Sequence, residues 1–200
     1  AAAAAAGLAA GARDYLVRPK ASADTAAKQL AVELLPMLRQ LAHASSPPRQ
    51  TRRVPEALQP ERAAEAPRDR IEIVVIAVST GGPEALAQLV GGLPRTLRVP
   101  ILIVQHMPPE FTARLAESLN RSSQLRAVEA SGGMTLEPAH VYVAPGDRHM
   151  SIERRGFEAQ IRLDDSPPEN SCRPSADPLF RSAASAFGSA VLAVVMTGMG

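Results

Sequence analysis

The stretch Ile71 to Val78 reads IEIVVIAV and runs directly into Ser79-Thr80-Gly81-Gly82-Pro83. A nearly continuous apolar run rich in β-branched side chains suits a strand covered on both faces, as in a parallel sheet. The paired glycines let the backbone turn tightly, and a proline has its φ preset for the first turn of a helix. Behind Pro83, Leu86, Leu89, Val90 and Leu93 recur at helical spacing. The same unit follows again: Val99 to Gln105 reads as a second buried strand, and Pro109 opens a helix with Phe111, Leu115 and Leu119 on one face. Val141 to Ala144, Met150 to Glu153 and Gln160 to Leu163 read as shorter strands. Asp177, with Pro178 behind it, reads as the N-cap of a third helix that ends at Phe187 before Gly188, and Val191 to Met196 reads as another buried strand. Strands alternating with helices predict a doubly wound, mostly parallel α/β sheet over residues 71–200.

The front of the chain is different. Residues 1–42 are rich in alanine and leucine. Ala1 to Ala10 favours helix, Asp14 to Val17 reads as a short strand stopped by Pro19, and Asp24 to Ala42 reads as a helix with Leu30, Leu34, Leu38 and Leu41 on one stripe. Two helices and one strand cannot enclose a core, so this is expected to be a piece of a larger domain. Residues 43–70 carry Pro47, Pro48, Pro55, Pro60 and Pro67 among Arg, Glu, Ala and Gln, a linker composition. That stretch also accounts for the whole net charge of +2, so no electrostatic case for nucleic acid remains. Aromatics at 3% and the absence of Trp remove the stacking platforms that single-strand binding needs. Cys172 is the only cysteine, which excludes an intrachain disulfide and fits a reducing cytoplasm. No run of about 18 apolar residues predicts a membrane span.

In open α/β sheets, ligands bind at the carboxyl ends of the strands. Here those ends carry Ser79-Thr80-Gly81-Gly82, Gln105-His106-Met107-Pro108 and Thr197-Gly198-Met199-Gly200. If the strands are parallel, a serine and a histidine converge at one edge, the start of a nucleophile–base pair. Backbone N–H groups at the helix start behind Gly81 can face a developing oxyanion. A carboxylate behind the histidine is still required; Asp147, Asp164, Asp165 and Asp177 are the downstream candidates, and none ends a predicted parallel strand.

VSTGGPEAL, QHMPPEFTARLAESLN, VYVAPGDRHM, CRPSADPLF and VVMTGMG, in that order, resemble the catalytic domain of the chemotaxis protein-glutamate methylesterases, the CheB family. The resemblance covers residues 71–200 and implies a Rossmann-like sheet. It implies Ser79 as nucleophile, His106 as base, and backbone N–H groups at Thr80 and Met199 as the oxyanion hole. The family's acid is an aspartate just after the TGMG motif, so this sequence, ending at Gly200, is expected to be cut short of it and weak or inactive alone. Many relatives carry another residue, often His, where this chain has Cys172. Residues 11–19 resemble the last strand of a response-regulator receiver domain, with Tyr15 at the aromatic switch position and Arg18 where receivers usually have lysine. The resemblance therefore implies a receiver fragment over residues 1–42, an interdomain linker over 43–70 and a catalytic domain over 71–200. It also implies chemoreceptor substrates, demethylated and in places deamidated, a histidine kinase acting through the receiver, and no cofactor.

Each residue also has a plainer reading. Ser79 before a Pro-led helix is by itself a good cap, and it is not in a G-x-S-x-G elbow because Ala77 stands two before it. His140 and His149 near Asp147 fit no zinc or iron spacing, and read as structural or groove residues. Asp147-Arg148 reads as a turn with a local ion pair. Two rival functions remain at this point: an anion- or nucleotide-binding module, which lacks G-x-G-x-x-G and a Walker lysine, and a receptor-binding regulator without catalysis.

Overall fold

The computed structural model describes residues 70–156 and 158–198, together with Thr25, Leu34 and Leu35. Those three residues are helical and exposed, within the helix predicted over 24–42. Tyr15, Arg18 and residues 43–69 lie outside the described residues.

The strands are β1 (Ile73–Val78), β2 (Ile101–Gln105), β3 (Arg126–Glu129), β4 (His140–Val143), β5 (His149–Arg155), β6 (Glu158–Asp164) and β7 (Val191–Val195). The helices are α1 (Gly82–Gly91), α2 (Pro109–Ser122) and α3 (Ala176–Phe187). Five strands form one sheet in the order β3-β4-β2-β1-β7, and every pairing in it is parallel. β5 and β6 form a separate antiparallel hairpin. The predicted parallel α/β architecture is therefore the one observed.

Alternation along the strands divides the apolar side chains between two layers. Ile73 and Val75 of β1, Leu102 and Val104 of β2, and Tyr142 pack with Met150, Ile152 and Ile161 of the hairpin and Leu179 and Ala183 of α3. Residues of the opposite parity, Ile76, Ile101, Ile103, Val141 and Val143, are also buried, as are Leu86 and Val90 of α1 and Phe111, Leu115 and Leu119 of α2. Burial on both faces is why β1 and β2 read as unbroken apolar runs.

One strand was missed and three expectations need correction here. β3 was not foreseen: RAVE has an exposed Arg126 and too few apolar residues to stand out. The α3 cap is Ser175, whose hydroxyl accepts the Asp177 N–H, so Asp177 sits inside the first turn. Leu89 points away from the core, 36% exposed, while Leu86 and Val90 are fully buried. β7, expected to be buried, is paired on one side only among the described residues, with Leu192 and Val195 exposed at 47% and 72%.

One contact ties the β4–β5 turn to the start of α2. The buried Thr112 hydroxyl donates to the Glu129 carboxylate and accepts the Gly146 N–H at 3.2 Å. Gly146 presses so closely on Pro108 and Pro109 that a Cβ there would lie 2.3 Å from the Pro109 nitrogen. Gly146→Ala is therefore expected to destabilise the fold by about 1–3 kcal/mol, the cost of overpacking against backbone. Gly132→Ala, with nothing within 4 Å of the added Cβ, is the control and should stay within about 0.5 kcal/mol of the parent in denaturant unfolding.

Candidate active site

Ser79 and His106 meet at the carboxyl edge of the sheet because of strand register. The β1–β2 ladder pairs Val78 with Gln105, so the next step sets Ser79 opposite His106 on strands about 4.8 Å apart. The His106 N–H still donates to the Val78 carbonyl at 3.2 Å. On the other side, β7 continues past its last paired residue: the Ser79 N–H donates to the Thr197 carbonyl at 2.9 Å. The Thr197 hydroxyl donates to the Thr80 carbonyl at 3.1 Å. Ser79 is thus held between the strand that brings His106 and the strand that leads into the Gly-Met-Gly turn.

The turn into α1 needs its glycines. Gly81 caps the helix in the left-handed region, with φ 75°. Gly198, at φ 132°, lies directly against the serine: a Cβ there would stand 2.3 Å from the Ser79 Cβ and 2.7 Å from its Cα. Thr80 is buried at the turn. Met199 lies outside the described residues.

His106 is partly buried, and that burial holds its imidazole below the ordinary value, so the neutral form is favoured. A base must be neutral to take a proton, so the shift suits that role. The Cys172 Sγ lies 3.7 Å from the His106 Nδ1. Burial pushes the Cys172 thiol up, which keeps it neutral, so it does not provide the anion that triad logic puts behind the histidine. Sequence reasoning missed this contact, which joins residues far apart in the chain; the only signal was Cys172 standing where relatives often carry another residue.

The candidate aspartates are engaged elsewhere. Asp147 accepts from Arg173 at 2.7 and 2.9 Å, and Asp165 accepts from Arg148 at 2.8 Å. The expected local pair between Asp147 and Arg148 is therefore replaced by two longer-range pairs, because Asp147 adopts a left-handed φ of 61° and its neighbours face different partners. Asp177 meets Asn170 and Ser175, and hydrogen bonds from the Ser166 side chain and then its N–H hold the Asp164 carboxyl below the usual carboxylate range. His149 is fully buried and uses both ring nitrogens: Nδ1 accepts the Ser175 N–H at 3.2 Å, which leaves Nε2–H to donate to the Pro167 carbonyl at 3.1 Å. His140 bonds the Pro138 carbonyl and stacks on Tyr142. Both are structural, and among the described residues no group of three His, Cys, Asp or Glu could hold a metal ion.

The structure is a parallel α/β domain with a serine and a histidine on adjacent strand ends, beside a glycine-lined turn. Comparison with known proteins narrows this. The family model of CheB methylesterase matches residues 74–200. The protein-glutamate methylesterase/protein-glutamine glutaminase of Desulfotalea psychrophila is 50% identical over 135 residues, 66% of this chain and 37% of that protein. A protein-glutamate methylesterase/protein-glutamine glutaminase of Caulobacter vibrioides is 43% identical over 191 residues, 95% of this chain and 55% of that protein. The crystal structure of the Thermotoga maritima CheB methylesterase catalytic domain superposes with a TM-score of 0.63 at 42% identity, covering 64% of this chain and 68% of that one. The chain belongs to the CheB methylesterase family. It spans about half the length of the curated relatives that match it along nearly its whole length. Among the described residues, no helix is long and apolar enough to cross a membrane.

Two measurements follow. In the 200-residue chain, the His106 ring protons should titrate by NMR below the ordinary midpoint of about 6.5. A folded pKa below the unfolded one means that the unfolded chain takes up this proton first as pH falls. The group's contribution to stability is then present above about pH 6.5 and lost as pH drops through the folded value. Gly198→Ala should slow Ser79 phosphonylation by a fluorophosphonate at least about tenfold, because the added methyl must displace the serine backbone.

Proposed function

We propose that this chain carries the nucleophile and the base of a protein-glutamate methylesterase that acts on the carboxyl-methylated glutamates of chemoreceptors in the cytoplasm, and deamidates specific receptor glutamines. The observation that carries the reading is the placement of Ser79 opposite His106 by the β1–β2 register, in a chain of the CheB methylesterase family. Neutral His106 takes the Ser79 hydroxyl proton as Oγ attacks the ester carbonyl. The tetrahedral oxyanion is held by backbone N–H groups at Thr80 and Met199. Collapse expels methanol, which leaves with the proton from His106. Water, deprotonated by the same histidine, then attacks the acyl-serine and releases the glutamate carboxylate and free Ser79. For a glutamine substrate the leaving group is ammonia and the other steps are unchanged.

The family resemblance supports two further parts of the proposal. An aspartate following the TGMG motif orients His106 and stabilises its imidazolium. A receiver domain, to which Tyr15 and Arg18 belong, places the esterase under a histidine kinase; Arg18 in the usual lysine position makes the phosphoryl contact with a fork of donors instead of a point charge.

Methanol release from carboxyl-methylated receptor membranes tests the reading, using the protein expressed from its complete gene. Ser79→Ala should reduce release to background, a loss on the order of 10⁴- to 10⁶-fold. A folded protein that releases no methanol, with or without a phosphodonor, would sink the enzyme reading. Stabilisation by nucleotide or phosphate in that case would favour an anion-binding module.

A further inference from the structure

The last residue of β2, directly before His106, is Gln105, a glutamine only 3% exposed. Its Nε2 donates to the Ser79 carbonyl at 3.0 Å and to the His106 carbonyl at 3.1 Å. One NH₂ group has two protons, so a single side chain bonds both residues of the proposed nucleophile–base pair.

Backbone pairing explains why a side chain is needed there. In a parallel ladder the His106 N–H bond to Val78 would be followed by a bond from the Thr80 N–H to the His106 carbonyl. The chain instead turns at Gly81 into α1, and the Gln105 amide occupies the His106 carbonyl. The Ser79 carbonyl accepts the Gly82 N–H at 2.8 Å as well as Gln105. Gln105 thus extends the coupling of the two strands one residue past the ladder, to the residues whose side chains would react. It also leaves the Thr80 N–H, the proposed oxyanion donor, out of the strand ladder.

The arrangement has a cost. Among the described residues, the buried Gln105 Oε1 has no hydrogen-bond partner, a penalty of about 1–3 kcal/mol. Reversing the amide would set that oxygen against two carbonyls. The oxygen fits only because Gly82 has no side chain: a Cβ there would lie 1.8 Å from it.

We propose that Gln105 is a positioning residue that fixes Ser79 relative to His106 through their carbonyls; this rests on Ser79 and His106 being the nucleophile and the base. Two variants of the protein from its complete gene disturb the clamp independently. Gln105→Met keeps the shape and removes both donors. Gly82→Ala keeps the amide and displaces it, at a helical position where alanine is otherwise favoured. For each, methyl-ester hydrolysis should show kcat lower by about 10- to 100-fold with KM within about twofold, as expected when reacting groups shift without losing substrate contacts. Ser79 phosphonylation should slow in parallel. Ser79→Ala run alongside separates the two ideas: if it abolishes turnover while a folded Gln105→Met or Gly82→Ala protein keeps wild-type kcat, the positioning role is overturned and the nucleophile stands. If Ser79→Ala retains turnover, the nucleophile reading fails and this inference with it.

Discussion

The site depends on the register of three parallel strands. β1 is paired on one side with β2 and on the other with β7, so the ends of all three reach the same edge together. A parallel sheet delivers every carboxyl end to one side, and the chemistry of the edge is then decided by which residue occupies the last rung of each strand. A one-residue slip of β2 against β1 would place Gln105 or Met107 opposite Ser79 and move the inward-facing set to the other face. Fully buried Leu102 and Val104 on one layer and Ile101 and Ile103 on the other resist that slip, because each would have to exchange layers. The aliphatic core and the alignment of serine with histidine are one constraint seen at two levels.

A second set of contacts holds the segment that covers His106. Residues 165–175 have little regular structure, and Asn170 and Ser171 adopt positive φ values of 50° and 63°. Such conformations persist only where neighbours determine them. Arg173 does so by gripping Asp147 and the carbonyls of Asp165 and Ser166, and His149 does so through Pro167 and Ser175. The Glu169 and Cys172 backbones bond each other in both directions, which closes the tip of the segment and brings the Cys172 thiol to the histidine ring. The motifs APGDRHM and CRPSADP thus form one brace.

Legibility in the sequence followed the physics of each element. β1 and β2 were legible because burial on both faces leaves an unbroken apolar run, and α1 and α2 because Pro83 and Pro109 mark their first turns. β3 was not, since a short strand with an exposed Arg126 carries little pattern. The convergence of Ser79 and His106 followed from the parallel assumption alone, and the family motifs then assigned them roles. The Cys172 contact and the partners of Asp147, Asp165 and His149 were out of reach, because they join residues from different loops and no periodicity encodes such pairs.

Gln105 shows why the polar residues of a site are harder to read than its core. From the sequence it is one more hydrophilic residue at a strand end, where exposure to water is the ordinary expectation. Its meaning comes from burial: inside the sheet, its amide must bond to something, and its two protons go to the Ser79 and His106 carbonyls at the turn into α1. The tight turn that exposes the serine leaves backbone groups unpaired, and the residue before the histidine meets that need. A glycine on the facing helix makes room for it. Serine, glutamine and glycine therefore form a set in which each is required by the backbone geometry of the others, although only the serine is proposed to react.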